Sequence, residues 1–252
     1  MNKLYKIIFS PTGNSEFIAD KIIEDIQLEK ITIDLCKEPQ EDIQIDSDSL
    51  CIFSVPCYGG RIPSTVVERL AHIHGNNTAS IVCVSYGNRA FEDALLELAD
   101  TIESHRFQVI GGCAAVAEHN IMHMYGTGRP DIHDINEIKE FSLKIMKKIE
   151  TGIYTKPVIP GNFPYKQYHP SKANILVHKE MCSGCRLCVA KCPVSAISND
   201  GLHINTELCI NCMRCIHICP NKCKSLSEEF VSALIQRVGK ACETRKDNVF
   251  FL

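Results

Sequence analysis

Cys182-Ser183-Gly184-Cys185-Arg186-Leu187-Cys188-Val189-Ala190-Lys191-Cys192-Pro193 and, 27 residues on, Cys209-Ile210-Asn211-Cys212-Met213-Arg214-Cys215-Ile216-His217-Ile218-Cys219-Pro220 carry one spacing twice: Cys-x-x-Cys-x-x-Cys-x-x-x-Cys-Pro. These two runs contain eight of the chain's fifteen cysteines. In a small secreted chain so many cysteines would suggest disulfides. Structural zinc uses Cys pairs or mixed Cys/His sets, usually with a longer gap between pairs. Two copies of a four-cysteine run fit a four-iron cube better, because such a cube needs four thiolates around it and three cysteines two residues apart wrap it as a tight loop. A proline after the fourth cysteine then turns the chain away without offering a competing N–H.

The two runs resemble those of bacterial two-cluster ferredoxins over about 50 residues. That resemblance implies two [4Fe–4S] clusters, each completed by the fourth cysteine of the other run. The expected ligand sets are Cys182, Cys185, Cys188 and Cys219 for one cluster, and Cys209, Cys212, Cys215 and Cys192 for the other. Neither run, nor Cys219-x-x-x-Cys223, continues to the C-x-x-x-C-x-x-C spacing of radical S-adenosylmethionine enzymes. Cys223 and Cys242 are left over and read as ordinary thiols.

Upstream, residues 1–150 alternate strand and helix signals. Residues 4–9, 31–35, 50–55, 79–85 and 108–117 are short apolar runs, and residues 14–28, 64–74, 91–104 and 131–149 show helical spacing. In the last helix Ile135, Ile138, Leu143, Ile145 and Ile149 are available for the core. Strands apolar throughout are buried on both faces, which means a parallel sheet between helical layers.

Three loops leave the carboxyl ends of these strands, the edge where such sheets bind ligands. Ser10-Pro11-Thr12-Gly13-Asn14-Ser15 opens the first helix. Its small hydroxyl residues and helix N-terminus suit a phosphate, although a plain turn and N-cap would look the same, and Pro11 removes one N–H. Pro56-Cys57-Tyr58-Gly59-Gly60 follows the third strand, and Ser85-Tyr86-Gly87-Asn88-Arg89-Ala90-Phe91 the fourth. In this order the loops resemble those of flavodoxins. The resemblance implies FMN held by Ser10, Thr12, Gly13, Asn14, Ser15, Pro56, Tyr58, Gly59, Tyr86, Gly87, Asn88 and Phe91, with Tyr58 and Phe91 flanking the ring. It also implies a three-layer, doubly wound α/β domain with five parallel strands in the order 2-1-3-4-5. Cys57 is a candidate redox thiol, and His119 and His123 are candidates to reach the flavin edge. Arg61 and Arg89 are candidates to neutralise a reduced flavin, and solvated or capping roles remain open for all of these. No G-x-G-x-x-G follows any strand, so no nicotinamide site is expected.

Residues 151–171 interleave Pro157, Pro160, Pro164 and Pro170 with Tyr154, Phe163, Tyr165 and Tyr168, which predicts an ordered strap between domains. Residues 172–225 form the small α+β ferredoxin-like unit and residues 226–252 a C-terminal helix, with Leu226, Phe230, Leu234 and Val238 along one stripe.

Residues 1–150 carry 14 Lys/Arg against 23 Asp/Glu, and residues 151–252 carry 13 against 7. The basic half is largely offset by clusters of about −2 each with their thiolates, so nucleic acid is not expected as a partner. No apolar run approaches the roughly 20 residues of a membrane helix. No signal peptide is legible, and free thiols indicate a reducing cytoplasm. As a whole the chain resembles the flavodoxin–ferredoxin fusion family of anaerobic bacteria and archaea. What this implies is transfer of single electrons between two clusters and an FMN, with redox proteins as partners. A flavoenzyme reducing a small molecule, and a ferredoxin with a flavin-free docking domain, are the alternatives.

Overall fold

The structure is a computed structural model that describes residues 1–168 and 172–252. Five strands form a parallel sheet: β1 (Lys3–Ile8), β2 (Glu29–Asp34), β4 (Ser49–Pro56), β6 (Thr78–Tyr86) and β7 (Phe107–Val116). Their spatial order, β2-β1-β4-β6-β7, is the 2-1-3-4-5 arrangement, and the domain is flavodoxin-like. Side chains of β4 alternate between two cores, as a period of two dictates. Leu50 and Ile52 face α1 (Asn14–Ile23) and α4 (Ile132–Thr151), meeting Ile18, Ile22, Ile138 and Ile145. Cys51, Phe53 and Val55 face α2 (Ser64–Leu70) and α3 (Ala94–Ser104), meeting Val66, Leu70, Leu95, Leu98 and Ile102. The five scattered cysteines pack here as small apolar side chains, four buried and Cys57 in part. Leu143 departs from the expected core set: it faces outward, 61% exposed, because α4 offers the sheet only the stripe through Ile138 and Ile145.

Two features lie outside the sequence reading. The second helix stops at Leu70, and Ile73–Gly75 becomes β5, paired in parallel with β3 (Ile43–Ile45). A sixth strand, β10 (Val249–Phe251), runs antiparallel along β7, with Val249 opposite Ala114 and Phe251 opposite Gly112. The C-terminal segment is therefore α7 (Glu228–Cys242), capped by Ser227 Oγ, followed by a return to the first domain's sheet.

The strap is pinned to α3 and the loop before it. Asp93 accepts from the amides of Asn162 (2.8 Å) and Lys166 (2.7 Å), and Tyr165 donates to Asp100 (2.7 Å). Pro170 and the strap's end at 171 lie outside the described residues. In the small domain β8 (Ile175–Val177) pairs antiparallel with β9 (Lys224–Leu226). The cysteine runs carry α5 (Leu187–Ala190) and α6 (Arg214–His217), again 27 residues apart. The repeat extends to backbone conformation. Gly184 and Asn211, Arg186 and Met213, and Ser195 and Lys222 all have positive φ, each pair at the same offset.

Candidate functional site

The phosphate loop follows β1 directly. Gly13, at φ 93°, caps α1 in the left-handed region, and a Cβ there would meet nothing within 4 Å, so the approach to the helix N-terminus is open. Ser10 Oγ accepts from the Glu16 amide (3.0 Å). Ser15, one of the expected phosphate residues, turns inward, where its Oγ pairs with Ser85 Oγ (2.7 Å). Thr12 and Asn14 line the cavity here, with Asn14 Nδ2 donating to Glu118 O (3.4 Å).

Three adjoining cavities meet at Asn120, which lines all of them. The smallest, about 60 Å³, lies over the phosphate loop and touches Pro56, Tyr58, Tyr86, Gly87 and His119. A second, about 370 Å³, extends over Tyr58 and Gly59 and is closed by Arg89, His119, Tyr168, Ile210 and the α7 stripe Phe230, Leu234 and Val238. A third, about 430 Å³, runs from Thr12 and Asn14 to Met213, Ile216 and Lys224.

Tyr58 is held by a tight turn. Its amide donates to Arg61 O (2.8 Å), and the turn's central residues, Gly59 and Gly60, both have positive φ. A Cβ on Gly59 would overlap the Tyr168 ring, and one on Gly60 the Glu92 carboxylate. Burial holds the Tyr58 phenol well above its ordinary pKa, reinforced by the nearby Cys212 sulfur. Cys57 is a poor candidate for redox chemistry, since burial raises its thiol to about 12.

The loop after β6 departs from expectation. Asn88 Nδ2 donates to Cys242 O (2.6 Å) and Thr244 O (3.1 Å), while its Oδ1 accepts from the Lys246 amide (3.0 Å). Tyr86 donates its hydroxyl to Asp247 O (2.7 Å). Phe91 packs edge-on against Tyr86 beneath the loop, with ring centroids 5.6 Å apart, and lines none of the three cavities. Asn88 and Phe91, expected at the flavin, thus serve the C-terminal tail and the core. The tail holds the Asn88 side chain and the Tyr86 hydroxyl of this loop, a contact more than 150 residues away in sequence. Arg61 is bidentate to Glu97 and Arg89 to Glu92, so both charges are already matched.

His119 is the better-placed histidine. Its Nδ1 accepts from the Ile121 and Met122 amides (both 3.1 Å), which puts the ring proton on Nε2. The ring lies against Gly87 and borders two cavities. Burial, followed by the charges of His123 and Arg89, lowers its pKa from 6.5 to about 4. His123 is instead exposed and paired with Glu118 (2.7 Å). Between pH 6.5 and 4 an unfolded chain binds the His119 proton and the folded one does not. Folding stability therefore falls through this window as pH drops, by up to about 3 kcal/mol, and levels off below it. His119→Asn keeps an acceptor for the two amides but does not titrate. Urea unfolding of the flavin-free protein is expected to show a flatter pH dependence for this variant.

The cysteines gather as two sets. One small cavity is lined by Cys182, Cys185, Cys188 and Cys219, with Cys223 and Lys224 beside them. The other is lined by Cys192, Cys209, Cys212 and Cys215 together with Arg214. The Ala196 amide donates to Cys192 Sγ (3.3 Å) and the Cys223 amide to Cys219 Sγ (3.4 Å), the same N–H···S bond in each repeat. Buried Arg214 Nε has no hydrogen-bond partner among the described residues. Two sets of four cysteines, the second with an unpartnered cationic donor at its wall, have the donor chemistry that an anionic iron–sulfur cube takes. For FMN, the open helix N-terminus, Thr12, Asn14, Tyr58 and the adjoining cavities fit. His119 and the α7 stripe, not Phe91, line the cavity beside Tyr58.

Residues 174–220 match the sequence model of the 4Fe-4S dicluster domain. No curated protein matches the chain. Among solved structures, a flavodoxin of Streptococcus pneumoniae TIGR4 is 20% identical, with 58% of this chain and 99% of that one covered at a TM-score of 0.41. A flavodoxin from the domain Archaea is 15% identical, covering 59% and 99% at 0.41. Rubredoxin oxygen:oxidoreductase of the anaerobe Desulfovibrio gigas is 14% identical, covering 60% of this chain and 37% of its own at 0.43. A 4Fe–4S dicluster domain makes the chain's role a redox one. No helix among the described residues is long and apolar enough to cross a membrane.

Proposed function

We propose that this chain, a flavodoxin-like domain fused to a 4Fe–4S dicluster domain, is an electron-transfer protein that relays single electrons between two [4Fe–4S] clusters and an FMN. One observation supports this above the rest: Ile210 and Asn211, from between Cys209 and Cys212, line the same cavity as Tyr58 and His119. When bound, the clusters supply one-electron exchange and the flavin accepts one electron or two. Within the chain, the set of Cys192, Cys209, Cys212 and Cys215 lies nearest the flavin cavity. The set of Cys182, Cys185, Cys188 and Cys219 carries an exposed thiol, Cys185, on which redox proteins can converge. Tyr58 stays a neutral phenol, and neutral His119 offers an Nε2 proton at the cavity wall.

Anaerobic purification followed by iron, sulfide and acid-extracted flavin assays tests the reading. About eight irons, eight sulfides and one FMN per chain are expected, with flavin absorbance bleaching as the clusters pass electrons on. Clusters without flavin would select the ferredoxin with a docking domain, which the tail-bound loop after β6 favours. Sustained turnover of a defined small molecule would select the flavoenzyme, which the cavity of about 370 Å³ favours. Tyr58→Ala removes the aromatic wall and is expected to weaken FMN binding about thirtyfold, from about 2 kcal/mol of lost contact. Fluorescence titration of the flavin-free protein measures it.

A further inference from the structure

Lys224 is the most deeply buried lysine of the small domain, the residue being 2% exposed. Its Nζ donates to Gly201 O (2.8 Å) and lies 4.0 Å from Cys223 Sγ. It lines the cavity of the first cysteine set and interacts with Cys188 of that set and with Cys215 of the second. No carboxylate pairs with it among the described residues. An ammonium ion taken out of water without an anion costs several kcal/mol. One carbonyl does not balance that, and the other groups that face the charge are the sulfurs of Cys188, Cys215 and Cys223. The anion that balances Lys224 must come from whatever the sulfurs hold.

We propose that Lys224 is the shared counter-cation of the two clusters, placed between the sets to stabilise their reduced forms. The inference rests on the cluster reading above. Each cluster with its thiolates carries about −2 when oxidised and gains one more negative charge with one electron. A fixed positive charge against Cys188 and Cys215 favours the form with the extra electron, so its removal makes both potentials more negative. The effect is larger for the set of Cys182, Cys185, Cys188 and Cys219, whose cavity Lys224 lines. Position in the chain reinforces the geometry: Lys224 opens β9, whose pairing with β8 fixes the backbone, and its neighbour Cys223 donates to the sulfur of Cys219.

The test is an anaerobic redox titration with dithionite and mediators on the full chain, read by the electron paramagnetic resonance of the reduced clusters. Iron and sulfide assays of the same samples establish that clusters are present, and a wild-type protein without them would overturn the cluster reading rather than this one. Lys224→Met is expected to lower the reduction equilibrium constant of the nearer cluster at least tenfold, about 59 mV for one electron. Lys224→Arg keeps the charge and is expected to stay close to wild type. Unchanged potentials in a fully loaded Met variant would overturn the proposal. Should the Met variant fail to load, loading of the Arg variant at near wild-type potential supports the charge. Failure of both would show that the position supplies shape alone and would overturn it.

Discussion

Replacing Cys192 by Ala is expected to remove the cluster held by Cys209, Cys212 and Cys215, although Cys192 belongs to the other run. Iron should fall from about eight to about four atoms per chain, with sulfide in step. The reason is geometric. Cys192 follows α5 and lines the cavity that Cys209, Cys212 and Cys215 surround, while Cys219 crosses over in the same way to Cys182, Cys185 and Cys188. Double variants decide the assignment. Adding Cys212→Ala to Cys192→Ala should cost no further iron, because both act on one cluster, whereas adding Cys185→Ala should remove the rest. The opposite pattern would return Cys192 to its own run. Cys219→Ala is the weaker probe, since Cys223 Sγ lies only 3.4 Å from Cys219 Sγ and can stand in for it.

The second large effect concerns Asn88, which is buried and bonds three main-chain groups of the tail. Asn88→Ala strands two carbonyls and one amide at about 1 kcal/mol each. It also places Ala at a φ of 57°, which Asn tolerates better. The expected loss is about 3–4 kcal/mol, or roughly 10 °C in Tm. The loss should begin at the tail, so amides of Val249–Phe251 are expected to exchange first and protease to cut between α7 and β10. Asn88→Gly keeps the left-handed backbone and loses only the bonds. If both variants retained wild-type exchange at β10, the clamp would not be what holds the tail. Tight flavin binding in Asn88→Ala would agree with a residue that serves the tail and not the cofactor.

What the sequence disclosed followed from how locally each feature is determined. The parallel strands were readable because burial on both faces leaves apolar runs such as 50–55 and 79–85. The dicluster segment was readable because the cysteine spacing is itself the chemistry. The loop after β6 was not: Asn88 and Tyr86 take their roles from residues 242–247, and no local pattern announces a partner that distant. β10 escaped because three residues, Val249, Phe250 and Phe251, are too few for a period of two to show. Lys224 escaped for a different reason. A lysine beside a cysteine looks like any surface lysine, and only the fold shows it buried beside the sulfurs.

The edge strand β10 has a consequence for how the molecule is made. Chain synthesis delivers β7 long before its antiparallel neighbour, with the strap, both cysteine runs and α7 emerging in between. Until then the open side of β7 presents free backbone groups, the kind of edge that pairs with other chains. Closing the first sheet is thus postponed until the metal-binding segment has left the ribosome, and that segment is looped out of a sheet whose two ends bracket it. A nascent chain stalled before residue 249 would carry an uncapped, adhesive sheet whether or not its thiolates had been filled.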